Sequence, residues 1–189
     1  MTFQVVYFRH RIDIAHVVAV PVPPPEPVIE DEVMLFYPQD NEPPTANFAT
    51  LDTRNGHPVL DFDDTTAEAA IFTGILPTGY TGTGIKVDVA YSMTSAITGT
   101  CGWTVEIERI GDSQQDVDSD SFATAQTITA VTVPGTSGFV DVVSVNISNG
   151  ANMDSVAAGE QYRCRIKRDV ASDNATGDAE LHWVRIVEQ

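Results

Sequence analysis

The chain has 189 residues, with 10 Lys and Arg against 27 Asp and Glu, and a formal charge of −17. This charge argues against binding to nucleic acid, which depends on cations that displace condensed counterions, and against docking on an anionic membrane. It favours solubility and partners that carry basic patches. The length suffices for one β domain with an extension.

Residues 1–45 have the composition of an extended arm with a Pro-rich linker. Period-two alternation near the start predicts extended chain, and four of the five positions 21–25 are Pro, which predicts a stiff polyproline segment. Such a segment has too little apolar surface to fold alone, so we expect it to bind another subunit; packing on its own domain is the alternative. The candidate partner-binding residues are Phe3, Val5, Tyr7, Phe8, Arg9, Arg11, Ile12 and Ile14.

The first 20 residues do not have the pattern of a secretion signal. Arg9, Arg11 and Asp13 interrupt the apolar run that a signal peptide requires, and no stretch is long enough to span a bilayer. We therefore expect the chain to be made in the cytoplasm. Those three residues give the first 20 residues a net charge of +1. The other 169 residues therefore carry a net charge of −18, and the sum is −17.

Residues 46–189 predict an all-β domain. Short apolar or alternating segments recur at regular spacing, separated by turns rich in Gly, Asn, Asp and Thr. Eight antiparallel strands with one apolar face each predict a two-layer sandwich of the jelly-roll type, while an immunoglobulin-like sandwich is less consistent with the Cys and Trp spacing. Gly74 is interpreted as a β-bulge. The predicted strands are 57–62, 69–76, 84–93, 101–110, 122–133, 137–147, 160–168 and 179–188.

Cysteine and histidine usage gives no sign of a metal or cofactor site. Cys101 and Cys164 lie in apolar strand segments and are predicted to be buried free thiols, and the four His residues are scattered. No cofactor is expected. Trp103 and Trp183 are the only Trp residues that could stack on a sugar, and both are predicted to lie in the core.

Two clusters of carboxylates could carry chemistry. One lies in the loop 111–120 and could contact a basic partner or an ion, although it lacks the spacing of an EF-hand calcium loop. Its members are Asp112, Asp116, Asp118 and Asp120. The other is the run 61–64 with Glu68, where nothing marks the second acid that glycoside hydrolysis needs. No catalytic residue is predicted.

A cationic row follows from strand periodicity. Arg163, Arg165 and Lys167 are predicted to share one face of the strand 160–168, because side chains alternate. We expect neighbouring Glu and Asp to pair with them; a contact with an acidic partner is the alternative.

The sequence resembles a group of small β-sandwich proteins encoded in the structural gene clusters of tailed phages and prophages. The resemblance spans about residues 40–189 and is carried by HPVLDFD, the ERIGD loop with the Gln and Asp that follow, MDS-x-x-x-GE and TGDAEL. It implies a virion protein with a jelly-roll body and does not cover the arm.

The resemblance fits a non-enzymatic capsid cement or decoration protein on the outside of the shell, often a trimer. The arm would then stabilise the shell by reaching neighbouring major capsid protein subunits. One alternative is a tail or fibre-associated adsorption protein that binds host glycan. Another is a non-viral carbohydrate-binding module or an accessory domain of an enzyme.

Overall fold

The computed structural model describes residues 34–189, and all structural statements below concern that range. It forms ten strands and two short 3-10 helices, and it contains no helix long and apolar enough to cross a membrane. The eight predicted strands are all present. The strands are β1 Met34–Phe36, β2 Thr50–Arg54, β3 His57–Phe62, β4 Ala69–Ile75, β5 Ile85–Met93, β6 Thr100–Ile110, β7 Gln126–Thr132, β8 Asp141–Ile147, β9 Gln161–Arg168 and β10 Ala179–Glu188; the 3-10 helices are Pro38–Asp40 and Ala151–Met153.

The strands form two facing antiparallel sheets. The first, sheet A, has the order β2-β3-β10-β5-β8, and β1 also pairs with β10. The second, sheet B, has the order β4-β9-β6-β7. From β3 to β10 each strand takes the place that it has in a jelly roll, four strands to a sheet, so the predicted fold class is confirmed and the immunoglobulin-like alternative is wrong.

Alternating side chains fill the space between the sheets. In β9, the residues Tyr162, Cys164 and Ile166 point inward and are almost inaccessible. Trp103 of β6 lies at the centre, with edge-to-face contacts to Phe62 and Tyr91 at centroid distances of 5.0 and 5.4 Å. Such contacts add to the free energy gained by burying aromatic area.

Both cysteines are buried free thiols, as predicted. Burial raises the pKa of Cys101 to about 12 and that of Cys164 to about 12, because the charged thiolate would lose its hydration. Neither thiol is poised to react at neutral pH.

Part of the segment assigned to the arm by sequence belongs to the sandwich. Strand β1 pairs with Val184 to Ile186 of β10, and the Phe36 ring stacks on Phe72 at 5.6 Å. Further on, the Ile71 N–H donates to Asn41 Oδ1 at 2.9 Å, and the Ile71 carbonyl accepts from Glu42 N at 2.8 Å. The boundary at residues 45/46 stays a prediction, and residues 1–33 lie outside the described range.

Strand β2 was not predicted, although a local signal for it exists. Asn55 and Gly56 connect β2 to β3 with φ values of 48° and 80°, the left-handed pair that a two-residue hairpin turn requires. The side chain of Arg54, at the end of β2, reaches the Met93 carbonyl at 2.8 Å and the carboxylate of Glu180. The hairpin tip is thereby tied to β5 and β10.

The prediction of a bulge at Gly74 is wrong. Pairing of β4 with β9 runs without a shift, and Gly74 lies opposite Tyr162. A Cβ atom at Gly74 would lie 2.7 Å from Tyr162 Oη and 3.0 Å from Phe36 Cζ. Glycine is therefore required because two aromatic rings occupy the space of a side chain. The register shifts lie elsewhere, between Cys101 and Trp103 and between Leu181 and Trp183.

Candidate binding surfaces

The eight candidate partner-binding residues between Phe3 and Ile14 lie outside the described range. Their role stays a prediction, and the surfaces considered next all belong to residues 34–189.

Three of the four Asp residues of the loop after β6 accept hydrogen bonds within the loop, and Asp112 Oδ1 does so from Ser113 Oγ at 3.2 Å. Asp116 Oδ1 accepts from Asp118 N at 3.1 Å, and Asp120 Oδ1 accepts from Ser121 N at 2.9 Å. Asp112, Asp116 and Asp118 are exposed. Within residues 34–189, no group of three or more His, Cys, Asp or Glu is arranged to hold a metal ion. The predicted contact with a partner or an ion stays a prediction.

Every Lys and Arg of residues 34–189 forms an ion pair inside the body. The eight cations are Arg54, Lys86, Arg109, Arg163, Arg165, Lys167, Arg168 and Arg185. Seven carboxylates take part, which leaves 15 of the 22 Asp and Glu residues in that range without a described cationic partner. The charge that the body offers to other molecules is therefore negative.

The row of cations on β9 is formed as predicted and is paired internally. Arg163 Nη1 lies 2.9 Å from Glu108 Oε2, and Arg165 pairs with Glu106. The ring of Phe122 lies under both guanidinium groups, 5.5 Å from Arg163 Cζ and 4.0 Å from Arg165 Cζ. Sequence reasoning had placed Phe122 in a strand and missed this cation–π contact.

Sheet A ends in an open strand with apolar neighbours. Within the described range β8 pairs with β5 alone, in regular register from Ile85–Ile147 to Tyr91–Asp141. Phe139, Val140 and Val142 are 63%, 51% and 49% exposed. Clustered exposed apolar side chains beside a free strand edge are typical of a protein interface.

The prediction that both Trp residues lie in the core is wrong for Trp183. The register shift at His182 moves Trp183 to the outer face of sheet A, opposite Ala90, and Val184 takes the inward position opposite Val89. Trp183 is half-buried, and Arg185 Cζ lies 5.8 Å from its ring centroid. Strict alternation from Leu181 would have pointed Trp183 inward, because one extra residue exchanges the two faces.

Ser92, His182 and Glu180 form a polar cluster on the outer face of sheet A. Ser92 Oγ lies 2.9 Å from His182 Nε2 and donates to Glu180 Oε2 at 2.9 Å. Ser92 has one hydroxyl proton and donates it to Glu180, so a hydrogen bond with His182 requires the tautomer that carries its proton on Nε2. Ser92 is also fully buried. This arrangement does not activate a nucleophile.

Carboxylates crowd together near the start of β10. Burial, followed by the charges of Glu180 and Asp52, raises the pKa of Asp61 to about 6. Hydrogen bonds from Thr65 and Thr66 instead lower the pKa of Asp63 to about 2. Within the acidic run 61–64, the fold therefore disfavours the ionised form of Asp61 and favours the ionised form of Asp63.

A cleft of about 300 Å³ opens between the loop after β4 and the loop after β8. It is lined on one side by Tyr80, Thr81 and Gly82, and on the other by Asn149, Gly150 and residues 155–158. Asp154 and Ser155 beside it have φ values of 53° and 57°, and such strain is often found at binding sites. An aromatic ring with amide and hydroxyl groups could bind a small polar ligand.

The sequence matches none of the protein-family models. A search of curated proteins finds no similar sequence.

Solved structures share the fold. CBM35 from Cellvibrio japonicus Abf62 superposes with a TM-score of 0.51 at 8% identity, over 82% of this chain and 93% of that chain. A family 35 carbohydrate binding module from Clostridium thermocellum superposes with a TM-score of 0.50 at 8% identity, over 84% and 99%. A structure of infectious bursal disease virus, Gx strain, gives a TM-score of 0.37 at 9% identity, over 98% and 38%. At 8% identity, the likeness to the two carbohydrate-binding modules shows the jelly-roll fold alone.

Proposed function

We propose that this chain is a non-enzymatic structural protein of a tailed-phage virion, of the capsid cement or decoration type. It would bind the outside of the major capsid shell as an oligomer and stabilise the shell. The resemblance to phage structural proteins over residues 40–189 and the jelly-roll body support this role.

The observation that carries the proposal is the distribution of charge. All eight described cations are paired within the body, while 15 carboxylates have no described cationic partner. Such a surface disfavours nucleic acid and anionic lipid and favours a partner with basic groups. The exposed apolar side chains beside β8 add a surface suited to protein contact.

The buried polar cluster supports the non-enzymatic part of the proposal. Ser92 is inaccessible and donates its proton to Glu180 rather than to His182. The side chains of Asp112, Asp116 and Asp120 accept hydrogen bonds within the loop after β6. Neither group supplies a nucleophile with a matched base.

Shells that lack this protein provide the test. Full-length chain and a chain beginning at Met34 would be mixed with purified shells, and bound protein measured after sedimentation. We expect only the full-length chain to bind and to raise the temperature at which the shells open. If neither chain binds, the shell role is wrong. If both bind equally, the arm is not the anchor.

A glycan-binding tail protein is the second candidate. The cleft beside Tyr80 and the outward position of Trp183 favour it, and two of the solved structures that share the fold are carbohydrate-binding modules. The full-length chain and its Tyr80→Ala and Trp183→Ala variants would be screened on a glycan array. Binding lost in one variant would support this candidate; an empty array would exclude it for the glycans displayed.

A further inference from the structure

We propose that the free edge of β8 receives the segment Phe3–Ile14 of a second copy as an additional strand of sheet A. This inference rests on the proposed function: copies joined through the arm would bind the shell at several points at once, and loss of the arm would weaken that binding. Its test uses the purified chain without shells, so failure of the two proposals can be told apart.

The edges of the two sheets differ in how they are protected. The edge of β4 is covered by the hydrogen bonds of Asn41 and Glu42 to Ile71 and of Ala49 N to the Ala69 carbonyl at 3.0 Å. The pairing of β7 is broken by a bulge opposite Gly102. Strand β2 is five residues long and carries Asp52 and Arg54. Bulges, short length, charge and cover are the usual protections against pairing with another chain.

Strand β8 has little of this protection. Its seven residues, DVVSVNI, contain no Lys, Arg or Pro and one carboxylate, Asp141, at the first position. Its pairing with β5 is regular throughout. The backbone N–H and C=O groups along the other side of the strand can therefore hydrogen-bond to an added strand.

Side chains beside this edge offer apolar area to an incoming strand. Val142 is 49% exposed and, across Ala90, lies in one row with the half-buried Trp183. Val140 and Phe139 extend the patch toward the preceding loop with 51% and 63% exposure. Period-two apolar residues such as Phe3, Val5 and Tyr7 suit such a surface, since one face of an added strand would lie over it.

Charge favours the arm as the occupant. The cations of residues 34–189 are all paired within the body, and the remaining two of the 10 in the chain are Arg9 and Arg11. Two acidic bodies repel each other, so direct contact between two copies of β8 is opposed. A strand that carries Arg9 and Arg11 brings the opposite charge to this acidic body.

Reach allows a second copy as the occupant. Sheet A separates β1 from β8 by three strand spacings, about 15 Å. Residues 15–33 include the Pro-rich run 21–25, and a polyproline spacer of that length would extend about 60 Å. A spacer of that length is long enough to reach a second copy. Repeated around a ring, this head-to-tail exchange gives a closed oligomer such as a trimer.

The oligomeric state of the full-length chain tests the proposal. Light scattering after size exclusion is expected to give a multiple of 20.4 kDa. The double variant Val142→Lys, Ser144→Lys places charge at two exposed positions of β8 and is expected to raise the concentration for half-dissociation by about tenfold or more. Thr127→Lys, Thr129→Lys adds the same charge to exposed positions of β7 and should leave assembly unchanged. The proposal is overturned if the full-length chain is monomeric, or if both double variants weaken assembly equally.

Cross-linking between chains separates a second copy from the same chain. A Gln4→Cys chain and a tagged Ser144→Cys chain would be mixed and treated with a short bis-maleimide; Cys101 and Cys164 are buried and should not compete. A covalent product that joins the two different chains is expected, and Thr129→Cys in place of Ser144→Cys should give none. A chain that carries both Gln4→Cys and Ser144→Cys would be treated in the same way. If it cross-links only within itself, or if the mixed chains give no product, the proposal is wrong.

Discussion

Arg168 and Asp173 form an ion pair that is sealed inside one end of the sandwich. Arg168 Nε lies 2.7 Å from Asp173 Oδ2, with side-chain exposures of 0% and 2%. The other guanidinium nitrogens donate to the carbonyls of Phe62, Ala175 and Gly177 at 2.8 to 3.1 Å. Arg168 thus joins the end of β3 to the loop between β9 and β10.

Replacing Arg168 by Met is expected to lower the free energy of unfolding by about 3–5 kcal/mol, because it leaves a buried carboxylate and three carbonyls without a donor. Urea denaturation measures the loss. Lys167→Met is the control from the same strand: Lys167 is 33% exposed and lies 3.9 Å from Glu106, which keeps Arg165 as its partner, so its loss should cost at most about 1 kcal/mol. Equal costs for the two variants would contradict the role given to Arg168.

Asp61 should make the protein more stable as the pH falls. Its pKa is raised to about 6 in the fold, against 3.8 for an ordinary Asp. The ionised form is thus disfavoured by folding, and this penalty is relieved as the pH falls from about 7 toward 4. We expect Asp61→Asn to unfold at a higher temperature than the native chain at pH 8, with the difference narrowing by pH 4.

Asp63 provides a control of opposite sign two residues away. Its pKa is lowered to about 2, so its ionised form stabilises the fold above the ordinary value of 3.8, and that contribution is lost as the pH falls through 2. Asp63→Asn should therefore unfold at a lower temperature at pH 8. If both variants shift the unfolding temperature in the same direction, the electrostatic assignment fails.

Gly74→Ala is expected to destabilise the sandwich by about 1–3 kcal/mol, because the new methyl group would displace the Tyr162 and Phe36 rings from a filled core. Thermal or urea unfolding measures this. Gly79→Ala is the control, because a Cβ atom at Gly79 would have no neighbouring atom within 4 Å; its effect should stay within about 0.5 kcal/mol. A harmless Gly74→Ala would show that the two rings can move aside and that glycine is not required there.

The two Trp residues should differ in access to solvent. Trp103 is fully buried and Trp183 is half-buried on the outer face of sheet A. Acrylamide should therefore measurably quench the tryptophan fluorescence of the native chain. Trp183→Phe should remove most of that quenching and keep most of the fluorescence of Trp103. Unchanged quenching in Trp183→Phe would show that Trp183 is covered in solution.

The sequence predicted the strands but not the positions of the bulges within them. Period-two alternation in segments such as 84–93 and 160–168 located all eight jelly-roll strands, because each has one apolar face that must be buried. The Asn55-Gly56 hairpin signal would have located β2 as well. The bulge at His182, by contrast, has no local signal, so the outward position of Trp183 could not be predicted from alternation.

The sequence by itself determined the fold class, the two buried thiols and the shared face of Arg163, Arg165 and Lys167, because these depend on the alternation of side chains along one strand. Tertiary structure alone decided which strands are neighbours, that Arg168 is paired in the core, and that β8 is left as an open edge. These properties depend on contacts between segments far apart in the chain, such as β8 with β5 and Arg168 with Phe62. Local patterns do not encode strand order, because several arrangements bury the same apolar faces.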